Sequence, residues 1–157
     1  MTLENEIKQI KPFSSKKEKA IVNVIFTSNW LFAVQNKLLK PFDLSIQQYN
    51  VLRILNGQND NPITINQIID RMLDKTSNAS RLVDKLVIKG YVRRDQKETN
   101  RRACDVVITE IGKKFLLNVK SKLSTLEHEI GDISEDELEI LNNLLDAFRK
   151  KANYANS

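Results

Sequence analysis

The sequence predicts a mainly α-helical protein with one small β-hairpin, and three observations carry that prediction. Glycine and proline together number seven among 157 residues, under half of the roughly 12% usual in proteins and too few for a many-stranded barrel or sandwich. Apolar residues recur at helical spacing through most of the chain. Only once, after Gly90, does the period change to alternation. The length suits a single domain over residues 1–157, with a core that needs no covalent staple.

Residues 1–14 are polar and aperiodic and read as a loose arm. From about Ser15 to Lys40 the apolar positions are helical: Val24, Leu31 and Leu38 lie seven apart, as do Ile25, Phe32 and Leu39. Two such stripes make a face wider than one neighbouring helix needs. Pro41 ends the helix, because the residue before a proline is pushed out of the α region. A second helix runs from about Ser45 to Asn56, with Ile46, Tyr49, Leu52, Ile54 and Leu55 toward a core. Residues 57–62 (GQNDNP) are the clearest loop in the chain.

Thr64 and Gln67 form a capping box for a short third helix, about Ile65 to Leu73. Asp74-Lys75-Thr76-Ser77 is a tight turn, and Thr76 or Ser77 can cap a fourth helix. That helix turns Leu82, Val83, Leu86 and Val87 inward and closes at Gly90, a residue suited to the left-handed position beyond a helix end. Tyr91 to Arg94 is a strand, Asp95 to Arg102 a charged tip, and Cys104, Val106 and Ile108 alternate on a returning strand. Thr109 caps a long helix to about Ile130, carrying Ile111, Phe115, Val119, Leu123, Leu126 and Ile130. Ser134 and Glu137 open a last helix with Leu138, Leu141, Leu145 and Phe148.

Charge is unevenly placed. Arg71 to Lys114 holds 12 basic and 6 acidic residues, whereas Leu123 to Phe148 has eight acids and no Lys or Arg. Positive potential focused on one part of a molecule attracts polyanions. One cysteine and one histidine exclude a disulfide framework and a Cys/His zinc site within one chain. No phosphate-binding glycine loop or partnered nucleophile is present, which argues against an enzyme, and no cofactor is implied. The first eleven residues lack the apolar run of a leader, and the longest apolar run, Trp30 to Val34, is too short for a bilayer. The expectation is a soluble, cytoplasmic protein with no membrane partner.

Two short helices joined by a tight turn and followed by a charged hairpin describe a winged helix-turn-helix, here over 44–109. Its second helix would present Ser77, Asn78, Ser80 and Arg81 to a major groove of double-stranded DNA. Arg forks onto guanine, Asn pairs with adenine, and Ser bonds a base edge or a phosphate. Lys75 and Lys85 would flank these as backbone contacts. Arg101 and Arg102 on the thin tip suit a narrow minor groove. The apolar faces outside the head, on 15–40 and 110–152, exceed what it can cover and predict a homodimer with N- and C-terminal dimerisation helices flanking the head.

Three segments together resemble the MarR family of bacterial transcription regulators: Ser80-Arg81-Leu82-Val83-Asp84-Lys85-Leu86, Lys89-Gly90-Tyr91-Val92-Arg93-Arg94, and Asn100-Arg101-Arg102 followed by Val106-Val107-Ile108-Thr109-Glu110-x-Gly112. The resemblance, best over residues 44–116, implies a homodimer with interlocked terminal helices and two winged heads on a pseudo-palindromic operator; the expectation is a sequence-specific regulator, a repressor, whose operator affinity a small ligand alters. It implies that Arg102, at the arginine of the family's Asp-x-Arg wing motif, reaches the minor groove; the aspartate of that motif is Asn100 here. It also implies small aromatic or lipophilic effectors bound between the dimer helices and the head, where Phe26, Trp30 and Phe32 could line a crevice or simply be core. Cys104 reads as a small buried hydrophobe and His128 as a helix-surface residue. A winged helix that binds proteins without specific DNA binding is the alternative, against which the basic run Arg93–Arg102 argues.

Overall fold

The computed structural model describes residues 2–97 and 100–150, and their side chains except at 95–97, 100–104 and 128. It divides into two compact units, Met1–Ser124 and Thr125–Ser157. Within the first, the expected loose arm contains a single helical turn, α1 (Leu3–Glu6). Leu3 is buried and Glu4 pairs with Lys19 at 2.5 Å, so one apolar and one charged contact order it.

α2 (Lys16–Leu39) starts where the Ser15 hydroxyl accepts the Glu18 N–H. The chain then passes through a 3-10 turn, Lys40–Phe42, and corners at Asp43 with φ 48°. Pro41 fits the first turn of such a helix, where its missing N–H leaves nothing unpaired. α3 (Ile46–Asn56) opens with a Ser45/Gln48 capping box and buries Val51, Leu52 and Leu55. β1 (Ile63–Thr64) was not foreseen, since two residues cannot show alternation. α4 (Ile65–Arg71) has the expected Thr64/Gln67 box but stops two residues early, with Met72 extended.

α5 (Ala79–Ile88) ends as expected at Gly90, whose φ is +74°. Tyr91 N–H bonds Leu86 O at 3.0 Å and Gly90 N–H bonds Val87 O at 2.9 Å, the paired bonds of a Schellman end. β2 (Val92–Lys97) and β3 (Asn100–Ile108) extend well into the expected tip. The sheet order is β1-β3-β2, all antiparallel, with Ile63 opposite Val106 and Val92 opposite Ile108.

α6 (Glu110–Leu123) is capped by Thr109, as expected, and stops short of Ile130; a 3-10 turn, Ser124–His128, follows. Its buried face is Gly112, Leu116 and Val119, while Ile111, expected inward, is 65% exposed. The start of α6 lies directly on the end of α5. Thr109 Oγ1 donates to Gly90 O at 2.7 Å, and a Cβ on Gly112 would stand 2.1 Å from Tyr91 O. The Tyr91 ring stacks on Phe115 at 4.1 Å. Leu52, Leu55, Ile68, Val83, Leu86, Val106 and Leu116 bind α3, α4, α5, β3 and α6 into one core.

In the second unit, α7 (Glu135–Arg149) begins with the expected Ser134/Glu137 box and exposes Ile140, Leu141, Leu144 and Phe148. Among the described residues no helix is long and apolar enough to cross a membrane.

Candidate nucleic-acid interface

The turn between α4 and α5 is built around one carboxylate. Asp74 accepts the Thr76 N–H at 2.9 Å, the Thr76 hydroxyl at 2.6 Å and the Ser77 hydroxyl at 2.7 Å. Those hydrogen bonds, led by Thr76, hold its pKa down at about 2. Asn50 Oδ1 on α3 accepts the Leu73 N–H at 3.0 Å, tying the turn to the core. With both hydroxyls bound to Asp74, the cap of α5 falls to Asn78, whose Oδ1 accepts the Arg81 N–H at 3.1 Å. This corrects the expectation of a Thr76 or Ser77 cap. Lys75 directs its ammonium to Ile69 O and Asp70 O, carbonyls of the last turn of α4. Ser77, Asn78 and Lys75 therefore shape the turn.

α5 buries Ala79, Val83 and Leu86, with Leu82 half-buried. Val87, expected inward, is exposed. The outer face carries Asn78, Ser80, Arg81, Asp84, Lys85 and Ile88, all exposed. Arg81 and Lys85, one turn apart, have no side-chain partner among the described residues. Two cations on one face are thus available to a ligand.

Arg94 on β2 was missed as a functional residue. Its Nη2 lies 2.9 Å from Asp84 Oδ1, 3.2 Å from Ser80 Oγ and 3.3 Å from Ser80 O. The signal was present: Arg94 stands two residues from buried Val92, so the strand period puts both on one side, toward α5. Arg101 and Arg102 belong to β3, not to a free tip. The register passes from Gln96 opposite Cys104 to Lys97 opposite Asn100, so both arginines fall in an irregular stretch of β3. Their side chains, like those of Cys104 and His128, lie outside the described residues.

Two clefts adjoin this surface. One, of about 520 Å³, is lined by Lys40, Lys85 and Lys89 with Asp43, Ser45 and Ile88. Lys89 pairs there with Asp43 at 2.7 Å, a contact that holds the Asp43 carboxyl below its ordinary range. Lys40 and Lys89 extend the basic surface beyond the residues expected from sequence. The second, of about 240 Å³, lies between α2, α3 and the turn, among Phe32, Gln35, Ile46, Asn50, Met72 and Asp74.

A helix pair with a carboxylate-ordered turn, an exposed basic second helix and a tethered β-hairpin defines a winged helix-turn-helix protein. Residues 42–103 match the profile of the MarR family. The HTH-type transcriptional regulator YfiV of Bacillus subtilis (strain 168) is 31% identical over 117 residues, 69% of this chain and 72% of YfiV. The chain belongs to the MarR family of DNA-binding transcription regulators, which are not enzymes. Solved structures share the fold, two of them as follows. A mutant MarR of E. coli complexed with operator DNA superposes with a TM-score of 0.71 at 20% identity, covering 96% of this chain and all of that one (100%). Bordetella bronchiseptica BpsR, whose DNA binding is regulated by 6-hydroxynicotinic acid, gives 0.75 at 13% identity, covering 90% of this chain and 100% of that one.

Proposed function

We propose that the protein is a cytoplasmic repressor that binds a pseudo-palindromic operator as a homodimer and loses or gains affinity when a small ligand binds. Residues 44–109 form the DNA-binding head, and 15–40 with 110–152 form the dimerisation part. The observation that carries this reading is a pair of cations, Arg81 and Lys85, unpartnered among the described residues, on the outer face of a helix to which Arg94 fastens the wing. In this reading Ser80 and Arg81 meet base edges, with Asn78 contributing the amide nitrogen that its cap leaves free. Lys85 holds a phosphate, Arg101 and Arg102 reach the minor groove, and Ser77 and Lys75 act through the turn they order. The E. coli operator complex, with the same fold, supports the docking.

The homodimer rests on apolar surface. α2 exposes Ile21, Val24, Ile25, Trp30 and Phe32, and α7 exposes four large apolar residues of its own. Monomeric proteins rarely leave such faces in water. A two-fold dimer then requires half-sites about 34–36 Å apart, one turn of duplex. The ligand reading is supported by the 240 Å³ cleft, whose floor is the turn that sets α5.

Selection on random duplexes tests the proposal. A palindromic consensus with half-sites one turn apart, bound by a species of twice the chain mass in sedimentation, is the expected result. A monomer, or binding without sequence preference, contradicts it.

A further inference from the structure

The 240 Å³ cleft has an unusual charge balance. Its walls are apolar, from Leu31 and Phe32 on α2, Ile46 on α3, and Met72 and Leu73 in the turn, and its uncharged polar groups include the Asn50 and Gln35 amides. Among the described residues that line it, Asp74 is the one ionisable group, and none is Lys, Arg or His. A carboxylate beside apolar walls creates a negative potential stronger than it would be in bulk water. An acidic ligand entering would lose its hydration next to a like charge, with no cation to receive it.

We propose that this cleft takes a small lipophilic amine, with the ring between Phe32, Ile46 and Met72 and the ammonium directed to Asp74. This rests on the reading of the cleft as the effector site and adds the ligand's charge. The carboxylate that would receive the ammonium is the one that holds Thr76 and Ser77, and the adjacent Asn50 holds Leu73. An occupant therefore bears on the turn that presents Asn78 and Arg81, and it changes operator affinity to the extent that it favours one arrangement of that turn.

Cinnamylamine, cinnamyl alcohol and cinnamate share one hydrocarbon frame and differ in charge. Calorimetric titration of the full-length protein is expected to rank them amine, alcohol, acid, with the amine about tenfold tighter than the acid. Asp74→Asn levels the order; because Asp74 also organises the turn, Gln35→Lys supplies a second variant that leaves the turn untouched and reverses the preference toward cinnamate. Cinnamate binding as tightly as the amine to the unaltered protein overturns the charge assignment alone. An amine that binds as ranked without changing operator affinity upholds the assignment and overturns the effector reading. No binding of any of the three at millimolar concentration overturns both, and operator binding measured in the same samples stands apart from either.

Discussion

Arg94 Nη2 lies 2.9 Å from Asp84 Oδ1, so an ion pair fastens the first strand of the wing to the outer face of α5. The same nitrogen also reaches the Ser80 hydroxyl and carbonyl one turn earlier. One guanidinium thus bridges two positions on α5 and fixes where the hairpin leaves it. The pair is partly open to water, with side chains 29% and 53% exposed. Its share of folding stability is therefore small, about 0.5–1 kcal/mol. Arg94→Ala should cost that much in a urea melt and rather more in operator affinity, about 1–2 kcal/mol, because helix and wing then act as uncoupled contacts. Arg94→Lys should recover only part of the affinity, since a rotatable ammonium does not hold its donors in the fixed plane from which Nη2 reaches both Asp84 and Ser80. Equal affinity for all three proteins would show that the tether has no role in DNA binding.

Arg81 is exposed and unpaired among the described residues, so its removal should leave stability within about 0.5 kcal/mol. Arg81→Ala should weaken operator binding by about 1–3 kcal/mol and relax preference at one base position of each half-site. Arg102→Ala, by contrast, should weaken binding with a preference for sites whose minor groove is narrow. Competition titrations with singly substituted duplexes distinguish the two patterns.

Asp74 gives a pH signature of known sign. Its pKa falls from an ordinary 3.8 to about 2 on folding, because Thr76 and Ser77 bond the ionised form. The unfolded chain therefore binds the proton more readily. The group stabilises the fold above about pH 4, and that contribution is lost as pH falls toward 2. Asp74→Asn should reduce stability at neutral pH and flatten the acid limb between those values, as read from urea melts across the range. An unchanged acid limb would mean that the turn does not depend on the carboxylate.

Gly112 lies inside α6, where alanine is ordinarily the better helix former by about 1 kcal/mol. Here a Cβ would meet the Tyr91 carbonyl at 2.1 Å, a backbone atom that cannot turn aside. Gly112→Ala should therefore destabilise by about 1–3 kcal/mol and shift the Tyr91–Phe115 stack. Thermal melts with tyrosine fluorescence read both effects, and a stabilised variant would refute the close packing.

Most of the elements were legible because their signals are local. The Thr64, Thr109 and Ser134 caps and Gly90 each declare themselves within four residues, and the change of period after Gly90 marks the hairpin. What escaped depends on partners distant in sequence or on competition between neighbours. β1 exists only because β3 offers an edge. Asn78 became the cap of α5 because Asp74 had already taken the two hydroxyls before it. Ile111 faces outward because Gly112, not its larger neighbour, must sit against Tyr91. Lys75 left the expected interface for the end of α4, and Arg94 joined it through Asp84, a residue ten positions earlier.

In the proposed complex α5 and the wing grip a duplex through cations. Fluorescence anisotropy of a labelled operator, titrated with the protein between about 50 and 200 mM salt, tests it most directly. Affinity is expected to fall steeply, with a log–log slope of several units and a slope lower by about one in Lys85→Gln. An affinity indifferent to salt, or a slope unmoved by Lys85→Gln together with full binding by Arg81→Ala, would contradict it.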